Sequence, residues 1–125
     1  MNHPNVPSQK LDKRSLPAPL RAAVRAALDK KAEDVRVLDL RAAAAFTDYF
    51  VLMHGNSSRQ NAALAENIEF VLKQGHLRPL GVEGKAHGEW VLMDYGFFVV
   101  HIFSRAARDY YAMEKLWADA PRADY

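Results

Sequence analysis

Phe46-Thr47-Asp48-Tyr49-Phe50-Val51-Leu52-Met53, halted at Gly55, is the stretch on which the fold turns. A strand with one face in water alternates polar and apolar side chains; a strand buried on both faces has no need to. This nearly continuous apolar run therefore predicts a central strand, covered on both sides. Just beyond it, Ser57 and Gln60 have the spacing at which a serine hydroxyl and a glutamine amide cap the first turn of a helix. That helix sets Leu64, Ile68, Val71 and Leu72 on one face and stops at Gly75.

Upstream, Val35-Arg36-Val37-Leu38-Asp39-Leu40 reads as a strand, joined to the central one by an alanine-rich connection. Before it a helix starts near Pro19, where proline's missing N–H costs nothing. Its apolar face is Leu20, Ala23, Val24, Ala27 and Leu28, with Arg21, Arg25 and Lys30 toward water. Residues 1–17 are polar, contain Pro4, Pro7 and Pro17, and read as a flexible leader.

Downstream, Arg78-Pro79-Leu80-Gly81-Val82-Glu83 is a short edge strand, since proline cannot donate to a ladder. Two further strands, 89–94 and 97–103, flank Tyr95-Gly96 as a hairpin. Ser104 caps a last helix with Tyr110, Met113, Leu116 and Trp117 as its stripe, ended by Pro121. The predicted order is α-β-β-α-β-β-β-α. This is an α+β fold: a single mixed β-sheet of about five strands packed with helices. The expected organisation is a leader over 1–17, one domain over 18–120 and a C-terminal tail over 121–125, without internal repeats.

The 125 residues are 50% hydrophobic, enough for one core. With no cysteine, disulfides and thiolate metal sites are excluded. No apolar run reaches the roughly 20 residues of a membrane span, and MNHPNVPSQKLDKRS has no secretory core. The expected address is cytoplasmic, with no membrane partner. The net charge of +2 is unevenly spread. Residues 1–31 carry Lys10, Lys13, Arg14, Arg21, Arg25, Lys30 and Lys31 against Asp12 and Asp29, a balance of +5. The rest balances at −3, a mildly acidic body that suits a basic protein better than bare nucleic acid. The basic end reads as a solubilising segment, with a minor RNA contact as the functional alternative.

Little in the chain resembles catalytic machinery. His3, His54, His76, His87 and His101 never fall at helical ligand spacing, so no metal is expected. Gly55-Asn56-Ser57-Ser58 lies between a strand and a helix, where backbone N–H groups can hold an anion, but an N-capped turn explains the same residues. Nucleotidyltransferases place such a turn before a helix and need a carboxylate pair on the next strand for two metal ions. That strand here offers only Glu83. There is no Gly-x-Ser-x-Gly elbow either, and no enzyme or cofactor is expected.

Glu89-Trp90-Val91-Leu92-Met93-Asp94 is more informative. Strand alternation puts Trp90, Leu92 and Asp94 on one face, Val91 and Met93 on the other. A tryptophan flanked by carboxylates is interface chemistry, with the indole as anchor and the charges choosing a basic partner. A Trp90 packed under a helix is the other reading, and pattern alone leaves both open. His101, inside an apolar strand, reads as a hydrogen-bonded core or interface histidine.

Several linked motifs resemble the RsfS/Iojap-like family of ribosomal silencing factors (also DUF143). They are Asp48-Tyr49-Phe50-Val51, Gly55-Asn56-Ser57-Ser58-Arg59-Gln60 and Gly81-Val82-Glu83-Gly84, then the run from Gly88 to Gly96. Val99-Val100-His101-Ile102-Phe103, Ala107-Arg108-Asp109-Tyr110-Tyr111 and Glu114-Lys115-Leu116-Trp117 follow in family order. The resemblance implies a nucleotidyltransferase-like fold without catalytic carboxylates. It further implies a translation repressor that binds ribosomal protein fourteen of the large ribosomal subunit and blocks joining of the small one. A ribosome-biogenesis adaptor and a metal-dependent nucleotidyltransferase are the alternatives. Carried over by position, the partner-binding residues are Glu83, Trp90, Leu92, Asp94 and His101. Two departures stand out. Phe97 occupies a usually acidic position and would expose an aromatic, favouring a homodimer of the free chain; His54-Gly55-Asn56-Ser57 departs from the small or hydroxyl residues usual beside the glycine.

Overall fold

The computed structural model describes residues 10–125. Its sheet has six strands, β1 (Glu33–Asp39), β2 (Tyr49–Gly55), β3 (Gly81–Glu83), β4 (Trp90–Asp94), β5 (Phe98–Ser104) and β6 (Arg122–Asp124), hydrogen-bonded in the order β3-β4-β5-β2-β1-β6. The helices are α1 (Ala18–Asp29), α2 (Ser58–Gln74), α3 (Arg105–Tyr111) and α4 (Met113–Leu116). β2 and β5 run parallel and the other pairs antiparallel. All seven residues of β2 are buried, as its unbroken apolar pattern requires.

Each face of the sheet meets a separate core. On the first, α1 and α2 cover Val35, Val37, Val51, Met53, Val91, Met93, Val100 and Ile102. Ala23, Ala26 and Ala27 let α1 lie close beside α2, and Asn67 Nδ2 donates to the Ala26 carbonyl at 2.9 Å. Leu20, Leu64 and Ile68 are wholly enclosed there, each contributing about 1.5–3 kcal/mol by burial. On the second face, Leu38, Leu40, Phe50, Leu52, Val99 and Phe103 form a smaller core with Ala107 and Ala120.

The fold class and the α-β-β-α-β-β-β order are as predicted, with four differences. The sixth strand, β6, lies in the stretch expected to be a C-terminal tail. It pairs with β1 and buries Ala123, and the Tyr125 N–H donates to the Val35 carbonyl at 2.9 Å. Three residues with one apolar side chain carry no readable strand pattern; the open edge of β1 supplies the pairing. Part of the expected leader is also built in. Leu16 is buried, Asp12 caps the 3₁₀ turn Lys13–Ser15, and the Leu11 N–H donates to the Arg122 carbonyl at 3.0 Å. Residues 1–9 of that leader lie outside the described residues.

Second, β2 begins at Tyr49, leaving Phe46 78% exposed. Thr47 and Asp48 instead bond to the β4–β5 turn, Thr47 Oγ1 donating to the Gly96 carbonyl and the Asp48 N–H to that of Phe97. Third, the hairpin's two-residue turn falls one position later than expected, at Gly96-Phe97. The Tyr95 N–H donates to the Phe98 carbonyl, and Gly96 takes the positive φ (87°) that the first turn position favours. Phe97 is half-buried, its ring edge-on to Phe98 at 4.8 Å and packed on the first core, not the exposed aromatic expected there.

Fourth, the last helix is two. Ala112 is left-handed (φ 46°), so α3 ends and α4 turns back, bringing Met113 and Trp117 to the second face. Tyr110 and Leu116, expected on the same stripe, are 82% and 72% exposed. In α1, Leu28 likewise lies at the surface, its expected place among the buried residues taken by Ala26.

The β3–β4 connection turns at Gly84 (φ 81°), and a Cβ there would run into the Trp90 carbonyl oxygen. Gly84→Ala combines a left-handed backbone with a clash against backbone, and should lower stability by about 2 kcal/mol. Urea unfolding of the variant checks this; an unchanged midpoint would show that the turn relaxes freely.

Candidate functional site

Strand pairing brings the predicted residues together. Glu83 on β3 pairs with Leu92 on β4, Leu92 with His101 on β5, and His101 with Leu52 on β2. Trp90 stands opposite Phe103 and Asp94 opposite Val99. Residues two apart share a side of the strand, so Glu83, Trp90, Leu92, Asp94 and His101 all project from the second face. Val91 and Met93 point into the first core, as the alternation predicted.

Trp90 packs against a helix, the second of the readings left open, yet keeps part of its surface exposed. It is partly buried, with its ring 5.2 Å from Phe103 and 4.5 Å from Tyr111 on α3. Its Nε1–H donates to His101 Nδ1 at 3.0 Å, so the imidazole there is an unprotonated acceptor. Burial alone pushes the His101 pKa down to about 4, which keeps the ring neutral. At 2% exposure His101 cannot meet a partner directly; its place in the geometry is to hold the indole. Asp94 is half-buried and its Oδ1 accepts from the Gly96 N–H at 2.8 Å, tying the carboxylate to the hairpin turn. Leu92 is half-buried and Glu83 exposed.

The structure adds aromatics that the sequence reading missed. Phe50 meets His101 edge-on at 4.4 Å and Trp117 at 6.2 Å, and exposed Phe46 approaches Phe50 at 6.1 Å. Tyr111, 43% exposed, closes the other end over Trp90. These residues come from β2, β4, β5, α3 and the segments beside them, so no local spacing reveals them. The result is an aromatic face, partly open to water, with Glu83 and Asp94 on its β3–β4 side. A contiguous exposed apolar patch of this kind is uncommon on a monomeric protein.

The glycine-serine turn is held by its own side chains. Ser57 Oγ accepts from the Gln60 N–H at 3.0 Å, and Gln60 Oε1 accepts from the Asn56 N–H at 2.6 Å. The turn at 55–58 is therefore an N-capped helix start. A cleft of about 470 Å³ lies between β1, β2 and the α3–α4 corner, lined among others by Arg36, His54, Arg108 and Glu114. Three of its charges are paired: Glu114 Oε2 accepts from Arg108 Nε at 3.0 Å, Arg108 Nη2 at 2.5 Å and Arg36 Nη1 at 3.2 Å. Burial is the largest influence on the Glu114 pKa and raises it, but the Arg108 hydrogen bonds and the Arg108 and Arg36 charges together hold it below its usual value. Among the described residues no group of three or more His, Asp or Glu is placed to hold a metal, and no helix is long and apolar enough to cross a membrane.

Fold and face together define an α+β protein with an aromatic, acid-edged face on one side of its sheet. Residues 13–125 match the family model for the ribosomal silencing factor during starvation, RsfS. The ribosomal silencing factor RsfS of Bacillus subtilis is 42% identical over 105 residues, 84% of this chain and 89% of that protein. A crystal structure from Chromobacterium violaceum superposes with a TM-score of 0.77 at 34% identity, covering 86% of this chain and 87% of that one. A mouse protein named mitochondrial assembly of ribosomal large subunit protein 1 is 31% identical over 91 residues, 70% of this chain and 40% of its own length. The chain belongs to the RsfS family of ribosomal silencing factors. Its role is regulation of translation in association with the ribosome, and the family is not known for catalysis.

Proposed function

We propose that this chain binds the large ribosomal subunit through its ribosomal protein fourteen, using the aromatic second face, and sterically blocks joining of the small subunit in the cytoplasm. The observation that carries the reading is the gathering of Glu83, Trp90, Leu92 and Asp94 on one face beside exposed apolar surface. Trp90, held by His101 and Tyr111, is the preorganised anchor; its ring loses little freedom on binding. Glu83 and Asp94 select basic side chains on the partner. The name of the mouse relative, which refers to assembly of the ribosomal large subunit, supports that subunit as the target.

Co-sedimentation with separated subunits, followed by a joining assay, tests this. Binding to the large subunit alone with joining inhibited is the expected result. Trp90→Ala should weaken binding by about 2 kcal/mol, roughly 30-fold, with the fold retained. Binding without any effect on joining would favour an assembly adaptor instead, and binding to neither subunit would refute both.

A further inference from the structure

α1 packs on the first face, so its outer surface lies on the opposite side of the sheet from the aromatic face. A groove of about 260 Å³ there is lined by Lys13, Arg14, Arg21 and Arg25, with Leu28 and Tyr125 among its apolar lining and no aspartate or glutamate. Arg14 is paired with Asp12 at 3.5 Å. Lys13, Arg21 and Arg25 have no ion-pair partner among the described residues. Lys13 Nζ lies 4.3 Å from the centre of the Tyr125 ring, whose backbone is fastened to β1.

This arrangement is unfavourable for the isolated chain. Arg21 and Arg25 are one turn apart on a single helix face, where like charges repel. Arg21 also lies near the N-terminal end of α1, the positive end of the helix dipole. A polyanion would relieve both repulsions. The shape suits one polyanion in particular, since a cationic rim neutralises phosphates while an aromatic and an apolar side chain offer a platform for a base or ribose.

We propose that this groove docks the phosphate backbone of RNA, at a surface separate from the aromatic face. The inference uses the family's association with the ribosome but not the identity of the protein bound by the other face. The test is fluorescence anisotropy of a labelled RNA hairpin titrated with the full chain over a range of salt. Affinity should fall as salt rises, and the double variant Arg21→Glu/Arg25→Glu should weaken binding about tenfold or more at low salt. Its salt slope should be shallower by roughly 1 for each phosphate no longer neutralised. The variant Lys73→Glu/Arg78→Glu, equal in charge change but outside the groove, should bind like the parent. Equal weakening in the two variants would reduce the effect to net charge and overturn the proposal. So would no RNA affinity at all, or variant-sensitive binding to phosphatidylglycerol vesicles without binding to RNA. Matching urea midpoints for both variants would confirm that the fold is intact. Because isolated RNA is the probe, failure here leaves the subunit-joining result untouched.

Discussion

Glu114→Ala is expected to lower the stability of this protein by about 3 kcal/mol, a larger effect than that of Gly84→Ala. Arg108 is only 7% exposed. Its guanidinium donates to Glu114 Oε2 through Nε and Nη2, to the Asp34 carbonyl at 2.8 Å, and lies 3.3 Å from His54 Nδ1. Glu114 is its one carboxylate partner among the described residues. Removing it strands a buried cation, a change that costs about 3–5 kcal/mol; the low end applies because the cleft is open to water. The pair also joins α3 to α4 across the left-handed Ala112, so its loss should loosen the corner that carries Tyr111 and Trp117 to the aromatic face. Urea unfolding at neutral pH measures this, with exposed Asp109→Ala as a control that should stay within about 0.5 kcal/mol of the parent. A loss below about 1 kcal/mol for Glu114→Ala would mean that water in the cleft already solvates Arg108.

Stability should also decline as pH falls from about 6.5 toward 4, beginning above the range in which carboxylates titrate. In the folded protein burial holds the His101 pKa near 4, against an unfolded value of about 6.5. Below pH 6.5 the unfolded chain takes up a proton that the folded one refuses, so the unfolded state gains. The contribution is complete above about pH 6.5 and is lost progressively down to the folded value. At about 1.4 kcal/mol per pH unit the loss is roughly 2 kcal/mol at pH 5 and about 3 kcal/mol over the whole window. His54, its pKa lowered by burial and by Arg108, adds in the same direction. Protonation of His101 also removes the acceptor for Trp90 Nε1–H, so the indole loses its hold as the core is charged. Urea midpoints across this range should therefore fall in the parent and flatten in His101→Phe. An equal slope in both would assign the acid sensitivity to other groups. Glu114 and Asp39, held below their usual values by their arginine partners, withdraw their contributions only at still lower pH.

The elements with strong local signals are legible along the chain. The unbroken apolar run at 49–53 made β2 central, the Ser57/Gln60 spacing started α2, and alternation through 90–94 assigned each side chain of β4 to a face. These signals act within a few residues, so a linear chain displays them fully. The linked motifs added the family, and with it the residues Glu83, Trp90, Leu92, Asp94 and His101. Only the tertiary structure decided what depends on neighbours distant along the chain. The Arg-Ala-Asp of β6 is a strand because β1 offers an open edge. Phe46 is outside because Thr47 and Asp48 bond to a turn some 50 positions on. Arg108 is tolerable inside because Asp34, His54 and Glu114 converge on it from β1, β2 and α4. Trp90 is held in one orientation because β5 sets a neutral histidine beneath it. Local propensity selects which segments become strands and helices; long-range pairing and burial then decide which side chains share a face, and that sharing is what makes the binding surface.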